Sequence, residues 1–451
     1  MVRVLVPSGA LGLGYDRAAL AAGVAAGPDL IAIDGGSTDS GPHYLGTGTS
    51  KYSRATTRAE WAGLMAARRQ ARVPLVIGTA GTCGTDAMVD WLADITREIA
   101  TETGERLRLA RLYSEQAPDA MARAFAAGRI APLPAAPEVT ADTFAGCSHI
   151  VALAGAEQIQ AALATGADIV IAGRTTDTAI IAALPLMRGC HAGAAWHGAK
   201  VGECGALATT RPGSGVVMVE FDATGFTLTP MAEGVRATPE TVSAHMLYEN
   251  ADPFRLHEPG GTLDVTAAHY TALDARRTRA TGARWEPAAR YCVKLEGARP
   301  AGFQVVSLVT IRDPRYIAGS ADWCADITAR ARAQAEATLG LAPESFTIEL
   351  RRIGLDATLG ALEPGRTLPQ ELGILAITTA ETEPRAREIA KLLNPFLLHH
   401  PLSPDEPMPT FAFPFSPPEM ARGAVYEFCL NHVLDLADPM DAFRLETEVI
   451  G

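Results

Sequence analysis

The sequence predicts an α/β protein, with an N-terminal parallel sheet flanked by helices and a C-terminal α+β domain. Two observations carry this. Short, unbroken apolar runs alternate with alanine-rich stretches of helical period through the first half of the chain. Each run ends in a loop of small polar residues. A strand that is apolar on both faces belongs in a parallel sheet covered by helices on both sides.

Taken in order, Val2–Val6 enters Pro7-Ser-Gly-Ala, and Leu30–Ile33 enters Asp34-Gly-Gly-Ser-Thr-Asp-Ser-Gly41. Leu75–Ile77 enters Gly78-Thr-Ala-Gly-Thr-Cys-Gly-Thr-Asp86, and Leu107–Leu112 enters Tyr113-Ser-Glu-Gln116. Ile150–Leu153 ends at Ala154-Gly155, and Ile169–Ile171 enters Ala172-Gly-Arg-Thr-Thr-Asp177. Helices such as Arg58–Ala71 and Thr85–Thr101 lie between these strands. Every such loop follows a strand and precedes a helix, which puts all of them at the carboxyl edge, where open α/β sheets bind ligands.

The rhythm changes around Gly193–Arg211. Gly215–Asp222 and Gly225–Pro230 read as a hairpin. Thr238 reads as an N-cap with Pro239 at N1, opening a helix to Asn250. Tyr291–Glu296 and Phe303–Arg312 alternate like antiparallel strands. Ala321–Leu339 and Glu383–Leu393 are helical, and Phe346–Ile353 and Gly373–Thr379 are strands. The proline-rich stretch 395–418 is expected to wrap a surface. A chain of 451 residues exceeds a single core, since cores stop growing near ~250–300 residues. The expected division is 1–205 and 206–451, the second domain completing the site or an oligomer interface.

The net charge of −12 excludes a nucleic-acid footprint, which needs clustered Lys and Arg. Seven cysteines occur with no C-x-x-C spacing, which speaks against a zinc ribbon or a disulfide framework and fits a reducing cytosol. The N-terminal apolar run is too short for a signal peptide, and no run is long enough to span a membrane. A cytoplasmic location is therefore expected.

The loop Gly35-Gly-Ser-Thr-Asp-Ser40 is dense in backbone N–H groups and short hydroxyls, a pattern that cradles a carboxylate or phosphate. The expected contacts are Gly35, Gly36, Ser37, Thr38 and Ser40. The loop with Gly78, Thr79, Gly81 and Thr82 reads as a second cradle, and Arg174 and Thr175 as further anion ligands. Cys83 has no local histidine to activate it. Asp34 or Asp39, with Glu115 and Asp177, either meets a hard divalent cation such as magnesium or manganese, or pairs with Arg174. Asp34 and Asp39 are the expected metal ligands. Glu115, Asp177, Glu203 and Lys200 are the candidates for moving protons. His245 and Glu249 share a helix face at i, i+4, and Asn250 with the turn Glu258-Pro-Gly-Gly marks a loop that reaches a site. His399-His400 before Pro401 reads as a loop or interface feature. Gly9-Ala-Leu-Gly12-Leu-Gly14 after the first strand, with Asp34 ending the second, has the layout of a dinucleotide site but the wrong glycine order.

These phrases together resemble the acyclic terpene utilisation A (AtuA) family. The residues concerned are Asp34-Gly-Gly-Ser-Thr-Asp-Ser-Gly-Pro, Gly78-Thr-Ala-Gly-Thr, Tyr113-Ser-Glu-Gln, Gly173-Arg-Thr-Thr-Asp, Gly202-Glu-Cys-Gly and Leu247-Tyr-Glu-Asn-Ala-Asp-Pro-Phe. The resemblance implies a place in the metabolism of branched acids and acyl-CoA thioesters, and a lyase or hydratase step. It also implies a small ferredoxin-like companion; because the chain ends before such a fusion, a separate subunit is the expected partner. The resemblance carries no catalytic residues over. The expectation is thus a hydro-lyase acting on a small branched carboxylic acid or its CoA thioester, in a homo-oligomer. The alternatives are a non-catalytic binding subunit of a two-component complex and a nicotinamide-dependent oxidoreductase.

Overall fold

The apolar runs become strands close to where they are expected. In the computed structural model, which describes residues 1–365 and 367–451, they are β1 (Val2–Val6), β2 (Leu30–Asp34), β3 (Leu75–Gly78) and β4 (Leu107–Tyr113). After these come β5 (Ile130–Pro132), β6 (His149–Ala152), β7 (Ile169–Ala172), β8 (Val217–Phe221) and β9 (Gly225–Pro230). The chain divides into two compact units, Met1–Arg299 with Phe428–Gly451, and Pro300–Glu427.

In the first unit β1, β2, β3, β7 and β4 lie side by side and parallel. Alternate residues of each strand feed opposite cores. Val4, Leu30, Ala32, Val76, Val170 and Leu112 pack against the helices Ala156–Ala164, Ala179–Met187 and Ala192–Gly202. Leu5, Ile31, Ile33, Ile77, Ile171 and Leu109 pack against Arg17–Ala25, Arg54–Ala71 and Asp86–Thr103. Burying each of the Val, Leu and Ile side chains contributes roughly 1.5–3 kcal/mol, which is why the unbroken apolar pattern settles as a two-faced strand. The buried indole of Trp61 donates to the Thr96 hydroxyl at 2.9 Å, so the helical layer carries no unmet donor there.

Three expectations are corrected. β6 does not join the parallel sheet; it pairs antiparallel with residues 295–298 of the long strand Tyr291–Ile311. The hairpin β8–β9 forms, but it extends the main sheet antiparallel beside β1, and Thr278–Thr281 and His269–Ala272 continue that edge. The boundary expected at residue 205 therefore vanishes: the segment after it completes the first unit because β1 offers a free edge that only backbone pairing can satisfy. The strand Arg444–Ile450 returns to close the other edge, antiparallel to β4.

The second unit is α+β. Its elements follow the order strand (the end of Tyr291–Ile311), helix Ser320–Leu339, strand Phe346–Ile353, strand Leu372–Ala380, helix Glu383–His399 and strand Met420–Leu436, which leaves the unit again. The central strand Leu372–Ala380 runs antiparallel to both Phe346–Ile353 and residues 303–311. That is the split β-α-β arrangement of ferredoxin-like domains. Trp323, Ile327, Ala331, Ile389, Leu393 and Leu397 from the two helices build its core. The helix expected to end at Leu393 continues through Pro395 to His399, and stops where His400 turns extended before Pro401.

Candidate functional site

Within the first unit, a cavity of about 860 Å³ opens at the carboxyl ends of the parallel strands. Ser37 and Asp39 reach it from the loop after β2; Arg174, Thr176, Asp177 and Thr178 reach it from the loop after β7. Lys200 and Glu203 come from the end of the helix Ala192–Gly202, and Glu249–Asp252 from the turn after His245–Leu247. The strand Arg255–Glu258 supplies the far wall, and Pro134, Leu153 and Leu256 are apolar contributions.

Arg174 is the best-anchored group. Its Nε donates to Glu296 Oε2 at 3.0 Å, and its Nη1 to the Thr175 carbonyl at 3.0 Å and Thr79 Oγ1 at 3.2 Å. Burial alone would lower its hold on a proton, but Glu296 and Asp177 outweigh that and keep it charged. Lys294 also binds Glu296, whose acidity is held at about 2 despite its burial. Arg174 is thereby a fixed positive point behind Asp177, 3.7 Å from the Asp177 carboxylate.

The Lys200 ammonium donates to the Glu203 carboxyl one helical turn on, and both residues are 6% exposed. Burial pushes Glu203 up to about 8, with Asp177 and Glu258 adding repulsion, while Lys200 is held above its ordinary value by Glu203. Glu258 accepts from the Thr178 hydroxyl at 2.5 Å, and burial raises it to about 7. Asp177 is raised too, first by burial and then by Asp39 and Glu249. Six carboxylates (Asp39, Asp177, Glu203, Glu249, Asp252, Glu258) share the cavity with Arg174, Lys200 and Arg255. Of these six, Glu203 and Glu258 are the acids that burial brings up toward neutral pH.

The placement of the expected residues divides sharply. Ser37, Asp39, Arg174, Asp177, Lys200, Glu203, Glu249 and Asn250 line the cavity together. Glu115 does not: its carboxylate meets His149 Nδ1 at 2.5 Å and accepts from the Asp86 amide at 2.9 Å. Burial alone would raise Glu115, yet the His149 hydrogen bond lowers it below its ordinary value. The second cradle is filled by packing. Thr79 and Thr82 are 0% and 1% exposed, and a side chain on Gly35, Gly78 or Gly81 would meet Thr79, Thr175 or Met88 within 2.6 Å. Thr38 and Thr175 are buried as well, and Thr38 donates to Glu296. Gly36 faces Thr82, and Ser40 binds Lys51. Asp34, buried, accepts from the Gly36 amide, whereas Asp39 is exposed. Among the described residues no three His, Cys, Asp or Glu side chains gather as a metal site.

The helix expected to reach Asn250 stops at Ala244, so His245 and Glu249 do not share a helix face. A short 3-10 turn follows, and Glu249 takes a left-handed φ of 56°, which turns the chain into the cavity wall. His245 is buried, and desolvation lowers it to about 4, so it is neutral. Cys83 is fully buried and its thiol is raised by desolvation. Sequence reasoning missed Thr176, Thr178 and the acid role of Glu258; the first stands in the phrase that supplied Arg174 and Asp177, the second directly follows it, and the third opens the Glu-Pro-Gly-Gly turn. No helix among the described residues is long and apolar enough to cross a membrane.

Residues 49–401 match the family model described as acyclic terpene utilisation family protein AtuA. The chain matches no curated protein and no solved structure.

Proposed function

We infer that this chain, which belongs to the acyclic terpene utilisation AtuA family, is a lyase of the hydratase or hydro-lyase kind, acting on a small branched carboxylic acid or its CoA thioester. The family's name points to branched, terpene-derived carbon chains. One observation carries the reading: Asp177, Glu203, Glu258 and Lys200 share one strand-end cavity that also has apolar walls at Leu153 and Leu256.

Elimination of water breaks two bonds. The C–H bond beside the carboxyl or thioester carbonyl yields its proton to a carboxylate, Asp177 or Glu258. The electron pair left behind forms the carbon–carbon double bond as the C–O bond on the next carbon breaks. Glu203, which keeps its proton to about pH 8, donates it to the departing hydroxide, giving water. The Lys200 ammonium steadies negative charge gathering on the carbonyl oxygen, in surroundings where such charge is poorly solvated. Arg174 holds Asp177 in place. Hydration is the same path in reverse.

Loss of a general acid or base costs about 100- to 10,000-fold in rate. We expect Glu203→Gln and Asp177→Asn each to fall by that much in kcat on branched 3-hydroxyacyl thioesters and free acids, with folding retained. Wild-type rates in both would remove the assignment. A chain that binds the acid but turns over none, alone or with a small companion protein added, would be a binding subunit instead. A magnesium or manganese ion enters this reading as a proposal: Asp39 faces Asp177 across the cavity and disfavours its charge, a repulsion that a cation would relieve. Elemental mass spectrometry of the purified protein, wild type against Asp39→Asn, tests it.

A further inference from the structure

Two cysteines far apart in sequence meet in the core of the first unit. Cys147 lies in the turn after the helix Ala141–Ala145, and Cys429 on the strand Met420–Leu436. Their sulfurs are 3.2 Å apart. Both are buried, in an apolar cluster with Phe144, Ile150, Leu295 and Leu430. Gly297 leaves the room: a Cβ there would stand 2.7 Å from Leu430 and 3.2 Å from the Cys147 sulfur. The two thiols arrive from segments 282 residues apart, so no local turn explains their contact.

We propose that Cys147 and Cys429 are a dithiol that closes to an intramolecular disulfide on two-electron oxidation by a peroxide. The thiolate of one attacks a peroxide oxygen and breaks the O–O bond, releasing one water and leaving a sulfenic acid. The second sulfur attacks the sulfenic sulfur and expels its hydroxyl as a second water. Two thiols lose two electrons and two protons, and the peroxide is reduced to two waters. The bond ties the Met420–Leu436 strand to the turn that leads, two residues on, to His149, the partner of Glu115. Closure needs the sulfurs to approach to about 2.05 Å, a movement small against the flexibility of two χ1 angles.

The hydrogen bond to Cys429, and then burial, push the Cys147 thiol well above its ordinary value. The thiolate is the nucleophile, so oxidation is slow at neutral pH and accelerates as pH rises. The remaining cysteines serve as internal controls, since the chain has seven.

The test exposes the full-length protein to hydrogen peroxide, alkylates remaining thiols in denaturant, and maps peptides without reduction. The expected result is a fall from seven alkylated thiols to five, with the Cys147 peptide joined to the Cys429 peptide and the change reversed by dithiothreitol. The joined peptide should form faster at about pH 9 than at about pH 7, and should be absent from Cys147→Ser and from Cys429→Ala. If either variant fails to fold, the wild-type map alone decides. Seven thiols retained, a link between any other pair, or sulfinic acid at Cys147 in place of the link would each overturn the proposal.

Discussion

Glu203 shows what a single side chain can do when its helix end is buried. Its proton is held to about pH 8 because burial opposes its charge, although Lys200 lies beside it. An unfolded glutamate titrates near ~4.3. The folded chain therefore binds more protons than the unfolded chain between those values, and stability falls as pH rises through that window. Glu258 adds the same sign up to about 7. We expect the melting temperature of Glu203→Gln to gain on wild type steadily from pH ~5 to pH ~8; a constant difference would show that Glu203 is charged throughout. Burial alone would lower Lys200, but Glu203, Asp177 and Glu258 together hold it above its ordinary value, so it keeps its charge over the same range. Calorimetric affinity for a small branched carboxylate should then decline above about pH 8, by up to about tenfold per pH unit if one proton is coupled. Asp39 and Asp177 were legible in sequence because they stand in strand-end loops, and Lys200 and Glu203 because they cluster at the end of one helix. Glu115 had the same signature, yet His149 and the Asp86 amide absorb it; a side chain's partner from another strand leaves no local mark.

Among the elements, the strand-end loops divide into those that face the cavity and those that hold the others still. The Gly78–Gly84 turn belongs to the second kind. Gly84 has φ +66°, and a Cβ there would stand 2.3 Å from the Arg174 backbone nitrogen. Gly84→Ala should therefore cost roughly 2–4 kcal/mol, from left-handed strain and overpacking together, and should misplace Arg174. Gly104→Ala, at φ +63° with open space around it, should cost only about 1 kcal/mol of strain. Equal melting losses in the two variants would sink the packing argument. Composition alone could not separate the two kinds of loop, because glycines that admit a ligand and glycines that admit a neighbouring backbone look alike. The helix at Thr238 was readable at its start, where Thr238 accepts from the Thr241 amide. Its end was not, since the left-handed Glu249 is settled by the cavity wall it builds.

At the scale of the molecule, the first unit is closed by chain segments from both ends. β1 sits inside the main sheet, and Arg444–Ile450 seals the edge of β4, where Arg111 meets Glu446. Deleting residues 444–451 should bare seven β4 residues of backbone donors and acceptors, an edge prone to pairing with other chains. We expect a lower melting temperature and a shift to aggregates in size exclusion; an unchanged profile would show that the edge is not needed. By itself the sequence determined the class of fold, the order and rough limits of most strands and helices, the side of the sheet on which polar loops gather, and about half of the cavity's ionisable groups. Those features follow from periodicity and burial, which each segment carries within itself. Only the tertiary structure decided that β6 leaves the parallel sheet, that the chain divides at Arg299 and Phe428 rather than at 205, and that Glu258 joins Asp177 and Glu203. Each of these depends on which free strand edge or buried charge a distant segment meets, and that meeting is a property of the whole chain's packing.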